Sequence, residues 1–192
     1  EKLELVKKIL FSARTIHHLF EELLEWYLIQ SGRVEPSSGE VDPGKIIAGT
    51  LHLLSAGISS KALEVHSGFS EKKIYPGDER VLSIILRNLL SNAVKYSFQG
   101  GKILVYPLHQ EGFWGFAVED SGIGITEEAM KALFLGSGNP TSRPGTKGEQ
   151  GTGLGLFFCL QLAKKAGYEI AGFAKETGGS VFKVWIPSNF PK

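Results

Sequence analysis

Two carboxamides and an ammonium group recur at helical spacing near the middle of the chain. Asn88, Asn92 and Lys95 are four and then three residues apart, so one face of a helix would present all three side chains. An amide oxygen can ligate Mg²⁺ without adding negative charge beside phosphates, which usually supply further ligands together with water. This face therefore suits a metal–polyphosphate, and a solvated polar stripe is the alternative interpretation.

A second candidate begins at Asp120, in the segment Asp-Ser-Gly-Ile-Gly-Ile that directly follows a strand pattern. Gly122 and Gly124 would let the backbone approach a flat ligand closely. The carboxylate could accept a hydrogen bond from an exocyclic amine, such as the one that adenine carries. Taken alone, the same pattern is as typical of a tight turn.

A third candidate, residues 151–156, reads Gly-Thr-Gly-Leu-Gly-Leu and opens a helix after a loop rich in Gly and Pro. Free backbone amides and the positive end of the helix dipole would form a cradle for phosphate. The segment lacks the Lys-Ser/Thr ending of a P-loop and does not follow a strand, as a dinucleotide-binding fingerprint would. Because glycine-rich helix starts are common, this segment is also weak evidence in isolation.

The elements that must hold these residues belong to a chain of 192 residues, enough for one compact core and an attached element. Its 21 Lys+Arg against 20 Asp+Glu create no global basic field, so we expect no nucleic acid and no membrane contact as partners of this chain. The single Cys159 excludes an intramolecular disulfide. No apolar run approaches the roughly 18 residues that span a bilayer.

Residues 1–32 predict one long helix. Residues 1–30 contain no Gly or Pro, and their apolar side chains form a heptad-like seam wide enough for a helical bundle. The sequence predicts a linker over residues 33–39 and a separate domain over residues 40–192. The abrupt helical start predicts a fragment of a longer parent. The seam positions are Val6, Ile9, Ala13, Ile16, Phe20, Leu23 and Tyr27.

The sequence pattern of residues 40–192 predicts an α+β fold. Asp42 and Asp78 have the chemistry of helix N-caps, and the last two strands form an antiparallel pair. Runs of strands beside segregated helices favour a two-layer sandwich over a doubly wound parallel sheet. The predicted helices cover 43–54, 79–96, 126–134 and 153–166, and the predicted strands cover 62–67, 72–75, 102–108, 113–119, 169–174 and 180–186.

The order and spacing of the three candidate segments resemble the nucleotide-binding boxes of the sensor histidine kinase catalytic domain. That domain belongs to the superfamily that includes gyrase B, MutL and the heat-shock chaperone ATPases. The resemblance covers nearly all of 40–187 and implies a Bergerat-type ATP-binding fold, a two-layer α/β sandwich. Residues 23–33 also resemble the end of the second dimerisation helix of these kinases, particularly in hybrid sensors of the Bacteroidetes type. This implies that residues 1–32 are part of a dimerisation and phosphotransfer bundle.

The resemblance also implies roles for individual residues. Asn92 would ligate Mg²⁺ with support from Asn88, Lys95 would contact phosphates, and Tyr96 would flank the nucleotide. Asp120 would bind the adenine amine. The pocket would be shaped by Gly122, Gly124 and Ile125, and phosphate would be cradled by Gly151, Thr152, Gly153, Leu154 and Gly155.

Three further regions complete the implied site. Phe134 falls in the family's Phe-box, which helps to position a lid over the nucleotide. Arg143 and Lys147 on that lid would contact the γ-phosphate. Ser180 falls in a last glycine-rich box. In the family, this box carries a hydroxyl residue nearest adenine at the position that is Val181 here, one past Ser180.

The residue at position 88 bears on the reaction. Hydrolytic relatives carry a Glu one turn before the Mg²⁺-binding Asn, as a base for water, whereas Asn88 cannot accept a proton. Transfer to a nucleophile is therefore favoured over hydrolysis. In the family that nucleophile is a His followed by an acidic residue and then by Arg and Pro. His17 and His18 do not match this pattern, so we expect the acceptor to lie outside this chain.

The resemblance implies a protein-histidine kinase module that binds ATP and Mg²⁺, with Asn88, Asn92 and Lys95 as catalytic residues. The parent would form a homodimer through the N-terminal helix and pass the phosphoryl group from its His to the Asp of a response-regulator receiver domain. The module would work on the cytoplasmic side, and the parent could be an inner-membrane sensor. Two alternatives stay open: a hydrolysing ATPase of the chaperone or gyrase type, and a degenerate nucleotide-binding or dimerisation module.

Overall fold

The computed structural model describes residues 39–69, 73–135, 143–149 and 153–189, together with six positions in the N-terminal region. The chain divides into two compact units, Glu1–Glu35 and Pro36–Lys192. Within the described residues, no helix is both long and apolar enough to cross a membrane.

The six described N-terminal positions are helical and exposed, and all six belong to the predicted seam. The seventh seam position, Ile9, lies outside the described residues, as do residues 33–38 of the predicted linker. The bounds of the helix and of the linker therefore stay predictions. The six positions are Val6, Ala13, Ile16, Phe20, Leu23 and Tyr27.

The second unit is built from one five-stranded sheet, one two-stranded sheet and helices. The strands are β1 (Gly39–Val41), β2 (Glu64–Ser67), β3 (Tyr75–Gly77), β4 (Lys102–Gln110), β5 (Phe113–Asp120), β6 (Glu169–Ala174) and β7 (Ser180–Pro187). The helices are α1 (Pro43–Leu53), α2 (Ser55–Ser60), α3 (Glu79–Tyr96), α4 (Glu127–Leu135) and α5 (Leu154–Lys165).

The large sheet has the strand order β2-β4-β5-β7-β6, and β1 pairs separately with β3. The β2–β4 pair is parallel, whereas the other neighbours are antiparallel. Helix α3 packs against α1, α5 and β5, so helices form the second layer. The predicted α+β sandwich is therefore confirmed.

The core lies between the two layers. One side of α3 is buried from Val81 to Val94, and alternate residues of β4 and β7 are buried opposite it, whereas β5 is buried continuously from Trp114 to Val118. This alternation follows from the two-residue period of a strand, which sends successive side chains to opposite faces. The buried strand residues include Ile103, Val105, Phe116, Val118, Phe182, Val184 and Ile186.

Helix α3 has the bounds that the sequence predicts because its first turn is capped by a buried carboxylate. Oδ1 of Asp78 accepts hydrogen bonds from the backbone N–H groups of Arg80 (2.9 Å) and Val81 (3.0 Å). The Asp78 N–H donates to the Tyr168 hydroxyl at 2.8 Å, which ties the start of α3 to the segment before β6. The cap thus sets the register of every later residue of α3.

Three small elements depart from the sequence prediction. Strand β1 (Gly39–Val41) and helix α2 (Ser55–Ser60) were not expected, and β3 begins at Tyr75, where the predicted strand ends. Pro76 and Gly77 in β3 are typical of turns, but tertiary contacts hold them extended. The Tyr75 ring stacks on Trp114 with centroids 4.3 Å apart, and Trp114 Nε1 donates to the Pro76 carbonyl at 2.8 Å.

We expect Asp78→Ala to lower the free energy of unfolding by about 1 to 2 kcal/mol, because two backbone donors at the start of α3 lose their acceptor. Urea unfolding monitored by circular dichroism would measure the loss. Asp42→Ala is the matched control, since Asp42 caps α1 through a single longer bond to Lys45 (3.2 Å). A loss for Asp78→Ala that is no larger than the control would contradict the proposed importance of this cap.

Candidate nucleotide-binding site

The polar face of α3 is present in the structure. Asn92 Nδ2 donates a hydrogen bond to Asn88 Oδ1 at 3.0 Å, across one helical turn. This bond orients the Asn92 carboxamide and leaves its carbonyl oxygen as the group that can ligate a cation. Lys95 Nζ lies 2.9 Å from the Tyr96 hydroxyl and 4.6 Å from the centroid of its ring. The structure therefore groups Asn88 with Asn92, and Lys95 with Tyr96.

Asp120 ends β5 with a carboxylate that is almost fully buried, at 6 % residue exposure. Oδ1 accepts the backbone N–H of Gly122 at 2.9 Å. Burial raises the pKa of Asp120 to about 6, and hydrogen bonds from the backbone N–H groups of Gly122 and Ser180 oppose that rise. The site thus holds a buried carboxylate that titrates close to neutral pH and can accept a further hydrogen bond from a ligand.

The loop after Asp120 approaches the end of α3 very closely. Ile123 N–H donates to the Tyr96 carbonyl at 3.1 Å, and Ser97 pairs with Gly122 in an antiparallel bridge. A Cβ atom at Gly122 would overlap the Tyr96 carbonyl oxygen. Glycine is therefore required at this position, and the contact joins the first two candidate segments.

The turn before β7 approaches Asp120 from the other side. Gly179 has φ +91°, and a Cβ atom there would overlap the Asp120 carbonyl oxygen. Ser180 is buried on the side of Asp120, whereas Val181 pairs with Glu119 on the opposite face of the sheet. Ser180 is therefore the residue of the last glycine-rich box that lies beside Asp120, and the assignment of position 181 as the one nearest adenine stays a prediction.

The third candidate segment leads into α5. Gly153 is the N-cap residue with φ +74°, a left-handed conformation that favours glycine, and Leu154 and Gly155 begin the helix. Gly151 and Thr152 lie outside the described residues. Helix α5 packs against α3, so the described part of the predicted phosphate cradle is attached to the helix that carries Asn92.

The remaining predicted residues have varied surroundings. Gly124 has φ +69° and lies against the backbone of Gly179, and Ile125 is half-buried. Phe134 lies in α4 and is 40 % exposed. The Tyr96 hydroxyl donates to the backbone carbonyl of Arg143 at 3.3 Å, so Arg143 lies close to the phosphate-binding candidates.

Lys147 has a partner away from the polar face of α3. Its Nζ donates to the carbonyl oxygen and to Oγ of Ser60, at 2.5 and 3.0 Å, at the end of α2. A phosphate contact by Lys147 would require it to leave Ser60. The predicted roles of Lys147 and of the other site residues in binding nucleotide stay predictions.

The sequence prediction missed Lys61, which follows α2 directly. Its ammonium lies against the last turn of α3 and against residues 146 and 149. No signal in the sequence separates Lys61 from the other lysines, because most lysines are exposed and its burial depends on acceptors supplied by distant segments.

The Asp120 carboxylate supplies the acceptor that an adenine amine would need, and the polar face of α3 and the start of α5 supply groups that suit a polyphosphate. The two-layer fold and this arrangement together define an ATP-binding domain. A family model of histidine kinase-, DNA gyrase B- and HSP90-like ATPases matches residues 77–189. The chain belongs to this family.

Similar proteins place the chain beside the histidine kinases of this family. It is 29 % identical over 194 residues to hybrid signal transduction histidine kinase B of Dictyostelium discoideum, covering 98 % of this chain and 10 % of that protein. It is 30 % identical over 193 residues to the aerobic respiration control sensor protein ArcB of Escherichia coli, covering 97 % and 24 %. The chain thus spans a quarter or less of these relatives.

A solved structure shows the same fold. The histidine kinase AdeS of Acinetobacter baumannii superposes with a TM-score of 0.77 at 22 % identity, over 96 % of this chain and 84 % of that one. The resemblance to sensor histidine kinases is therefore confirmed: the chain is homologous to their ATPase catalytic domain, and these kinases are phosphotransferases. The likeness to hybrid sensors of the Bacteroidetes type stays a prediction.

We expect the affinity of the chain for adenosine to fall as the pH drops through about 6. The ionised Asp120 carboxylate is the better acceptor for an amine, and its pKa is raised to about 6, so acid protonates the acceptor. The affinity should fall by at most about ten-fold per pH unit below the pKa. Calorimetric titration on both sides of pH 6 measures this, and adenosine avoids the ionisation of phosphates.

Asp120→Asn is the matched control, because an amide does not titrate in this range. It should bind adenosine more weakly than the wild type above pH 6 and with little pH dependence. A wild-type affinity that is flat across the same range would contradict the assignment of Asp120 as the acceptor.

Proposed function

We propose that this chain is the catalytic module of a sensor histidine kinase, which transfers the γ-phosphoryl group of ATP to a His on a dimerisation helix outside this chain. The parent would then pass the group to the Asp of a response-regulator receiver domain. The observation that carries the proposal is the bond between Asn88 and Asn92. A carboxamide committed to orienting its neighbour occupies the position where a hydrolase needs a base for water.

The binding of ATP divides into an adenine part and a phosphate part. Asp120 accepts the adenine amine, and the close approach of Gly122 and Gly179 leaves no side chain between their loops. Gly153 and the start of α5 present backbone N–H groups and the positive end of a helix dipole to phosphate. The base and the phosphates of one nucleotide would thus each meet suitable groups, and backbone contacts fix the positions of these groups.

Magnesium fits the residues that are present. Asn92 is the proposed ligand, since its amide nitrogen is bound to Asn88 and its oxygen is a neutral donor of the kind that Mg²⁺ accepts. When bound, Mg²⁺ would neutralise charge on the phosphates. Because phosphoryl transfer depends mainly on positioning and charge neutralisation, Lys95 and Arg143 would serve the reaction as cations close to the phosphates. Lys147 would join them only by exchanging Ser60 for phosphate.

Two macromolecular partners follow from the proposal. Apolar seam residues are exposed on the N-terminal helix, for example Phe20 at 68 %, and a second copy of the parent would cover them in a homodimer. A response regulator is the second partner. It is supported by a solved histidine kinase of the same fold, ThkA, which is in complex with the response regulator protein TrrA. The module would then act on the cytoplasmic side.

We expect Asn92→Ala and Asp120→Asn to weaken ATP binding in different ways. Asn92→Ala should remove most of the increase in ATP affinity that Mg²⁺ provides, about ten-fold, while adenosine binding is unchanged. Asp120→Asn should weaken ATP and adenosine equally, with the Mg²⁺ effect retained. Calorimetric titrations of both ligands with and without Mg²⁺ measure the four cases. Equal losses in the two variants would contradict the division into an adenine part and a metal–phosphate part.

The reaction itself is tested with γ-radiolabelled ATP. The isolated chain should acquire no acid-labile, base-stable label and should release phosphate slowly. Addition of the parent's complete dimerisation bundle should produce such a label on that bundle. Rapid, steady phosphate release without any acceptor would instead favour a hydrolysing ATPase, and a folded chain that does not bind ATP would favour a degenerate module.

A further inference from the structure

Lys61 places its own charged ammonium group in the interior of the domain. The residue follows α2 and is only 2 % exposed. A lysine is rarely buried to this degree, because its charge loses hydration that only well-placed acceptors and an opposite charge can replace. The partners of Lys61 therefore indicate what the burial accomplishes.

These partners come from two separate parts of the chain. Lys61 Nζ donates to the carbonyl oxygens of Val94 (2.9 Å) and Lys95 (2.6 Å), in the last turn of α3. Carbonyls there lack partners within the helix and lie at the negative end of its dipole. Nζ also donates to Thr146 Oγ1 (2.7 Å) and pairs with Glu149 Oε1 (2.6 Å). One ammonium thus joins α3 to the 143–149 segment.

The 143–149 segment forms a closed turn on the end of α3. Gly145 N–H donates to the Glu149 carbonyl at 2.7 Å, and Thr146 Oγ1 donates to the Ser97 carbonyl at 2.6 Å. Glu149 Oε2 accepts the Lys147 N–H at 2.7 Å, so each carboxylate oxygen has a partner. The hydrogen bonds from Lys61 and Lys147 lower the pKa of Glu149 despite its partial burial, so Glu149 stays ionised at neutral pH.

The residues joined in this way flank the phosphate-binding candidates. Lys95 offers its carbonyl to Lys61 and carries its ammonium on the other side of the same residue, beside Tyr96. Arg143, at the start of the segment, accepts a bond from the Tyr96 hydroxyl. Gly153 follows Glu149 by four residues, which span at most about 14 Å when extended. Fixing the segment therefore limits the positions of Lys95, Arg143 and the approach to Gly153.

We propose that Lys61 is a positioning residue for the phosphates of the nucleotide, and that it acts through Glu149 and Thr146 by holding the 143–149 segment against the end of α3. The inference rests on the proposed function, since it assigns the phosphates to this region. Lys61 itself is too deeply buried to touch a ligand. Its effect is strongest at the phosphate end, because the Lys61 ammonium binds residues 94 and 95 and the 143–149 segment, whereas the Asp120 carboxylate accepts the backbone N–H of Gly122 and lies against the turn at Gly179.

The test compares Mg²⁺·ATP with adenosine in calorimetric titrations of the full chain. Lys61→Met should weaken Mg²⁺·ATP by about ten-fold and leave adenosine unchanged, because the lost bonds are to a charged group. Glu149→Gln should produce a smaller loss with the same selectivity. The double variant should be no weaker than Lys61→Met alone, since both substitutions remove one shared contact.

Lys102→Met is the matched control. Lys102 pairs with Glu64 at 3.2 Å, but both side chains are well exposed, so the pair contributes little and neither ligand should be affected. If Lys61→Met does not fold, Glu149→Gln alone decides, because the Glu149 side chain is 36 % exposed and its loss leaves the core intact. Equal losses for ATP and adenosine, no loss for ATP, or additive losses in the double variant would each overturn the proposal.

Amide hydrogen exchange separates this inference from the proposed function. In the nucleotide-free wild type, the Thr146 and Gly148 amides should be protected, and Glu149→Gln should increase their exchange by at least about ten-fold. If the wild type binds no ATP, the proposed function and the phosphate-positioning role both fail, even where exchange shows the contact. If ATP binds and Glu149→Gln alters neither exchange nor affinity, only the positioning role fails.

Discussion

The site depends on three backbone segments that meet more closely than side chains would allow. The loop at Gly122 lies against the Tyr96 carbonyl, and the turn at Gly179 lies against the Asp120 carbonyl. Larger residues at either position would push the segments apart. Asp120 is consequently enclosed between the end of α3 and the start of β7, where its carboxylate loses water and retains only a few directed donors. The raised pKa of Asp120 is a direct result of this enclosure.

The same meeting point connects the two layers of the sandwich. Helix α3 supplies Asn92 and Lys95 from one layer, whereas β5 and β7 supply Asp120 and Ser180 from the other. Because the Asp78 cap sets the start of α3 and the sheet register sets the end of β5, regular structure fixes the distance between Asn92 and Asp120, the residues proposed for the metal–phosphate part and the adenine part. Flexible side chains make only the final contacts with a ligand, so the site is ordered before the ligand binds.

Much of this arrangement could be predicted because its signals are short-range patterns in the sequence. The polar face of α3 is visible in the spacing of Asn88, Asn92 and Lys95, and its bounds in the Asp78 cap. The strands β4, β5, β6 and β7 are largely apolar segments bounded by turn residues, and both features are local signals. The fold and the three main segments of the site follow from such patterns together with the resemblance.

The features that could not be predicted depend on contacts between distant residues. The burial of Lys61 requires acceptors from α3 and a carboxylate at position 149. The position of Ser180 beside Asp120 depends on the pairing of Val181 with Glu119, because a shift of one residue reverses the face. Strand β3 contains Pro76 and Gly77 and is held by Trp114. None of these outcomes is determined by the local sequence.

The two outer strands of the large sheet bear on how the domain avoids unwanted assembly. An unpaired strand edge can add a strand from another molecule. Strand β2 is short and carries the charged Glu64, which pairs with Lys102 on its neighbour, and β6 begins with the exposed Glu169. Charges at both margins oppose growth of the sheet from one molecule into the next. The backbone edges of this sheet are therefore poor templates for pairing with another copy of the domain.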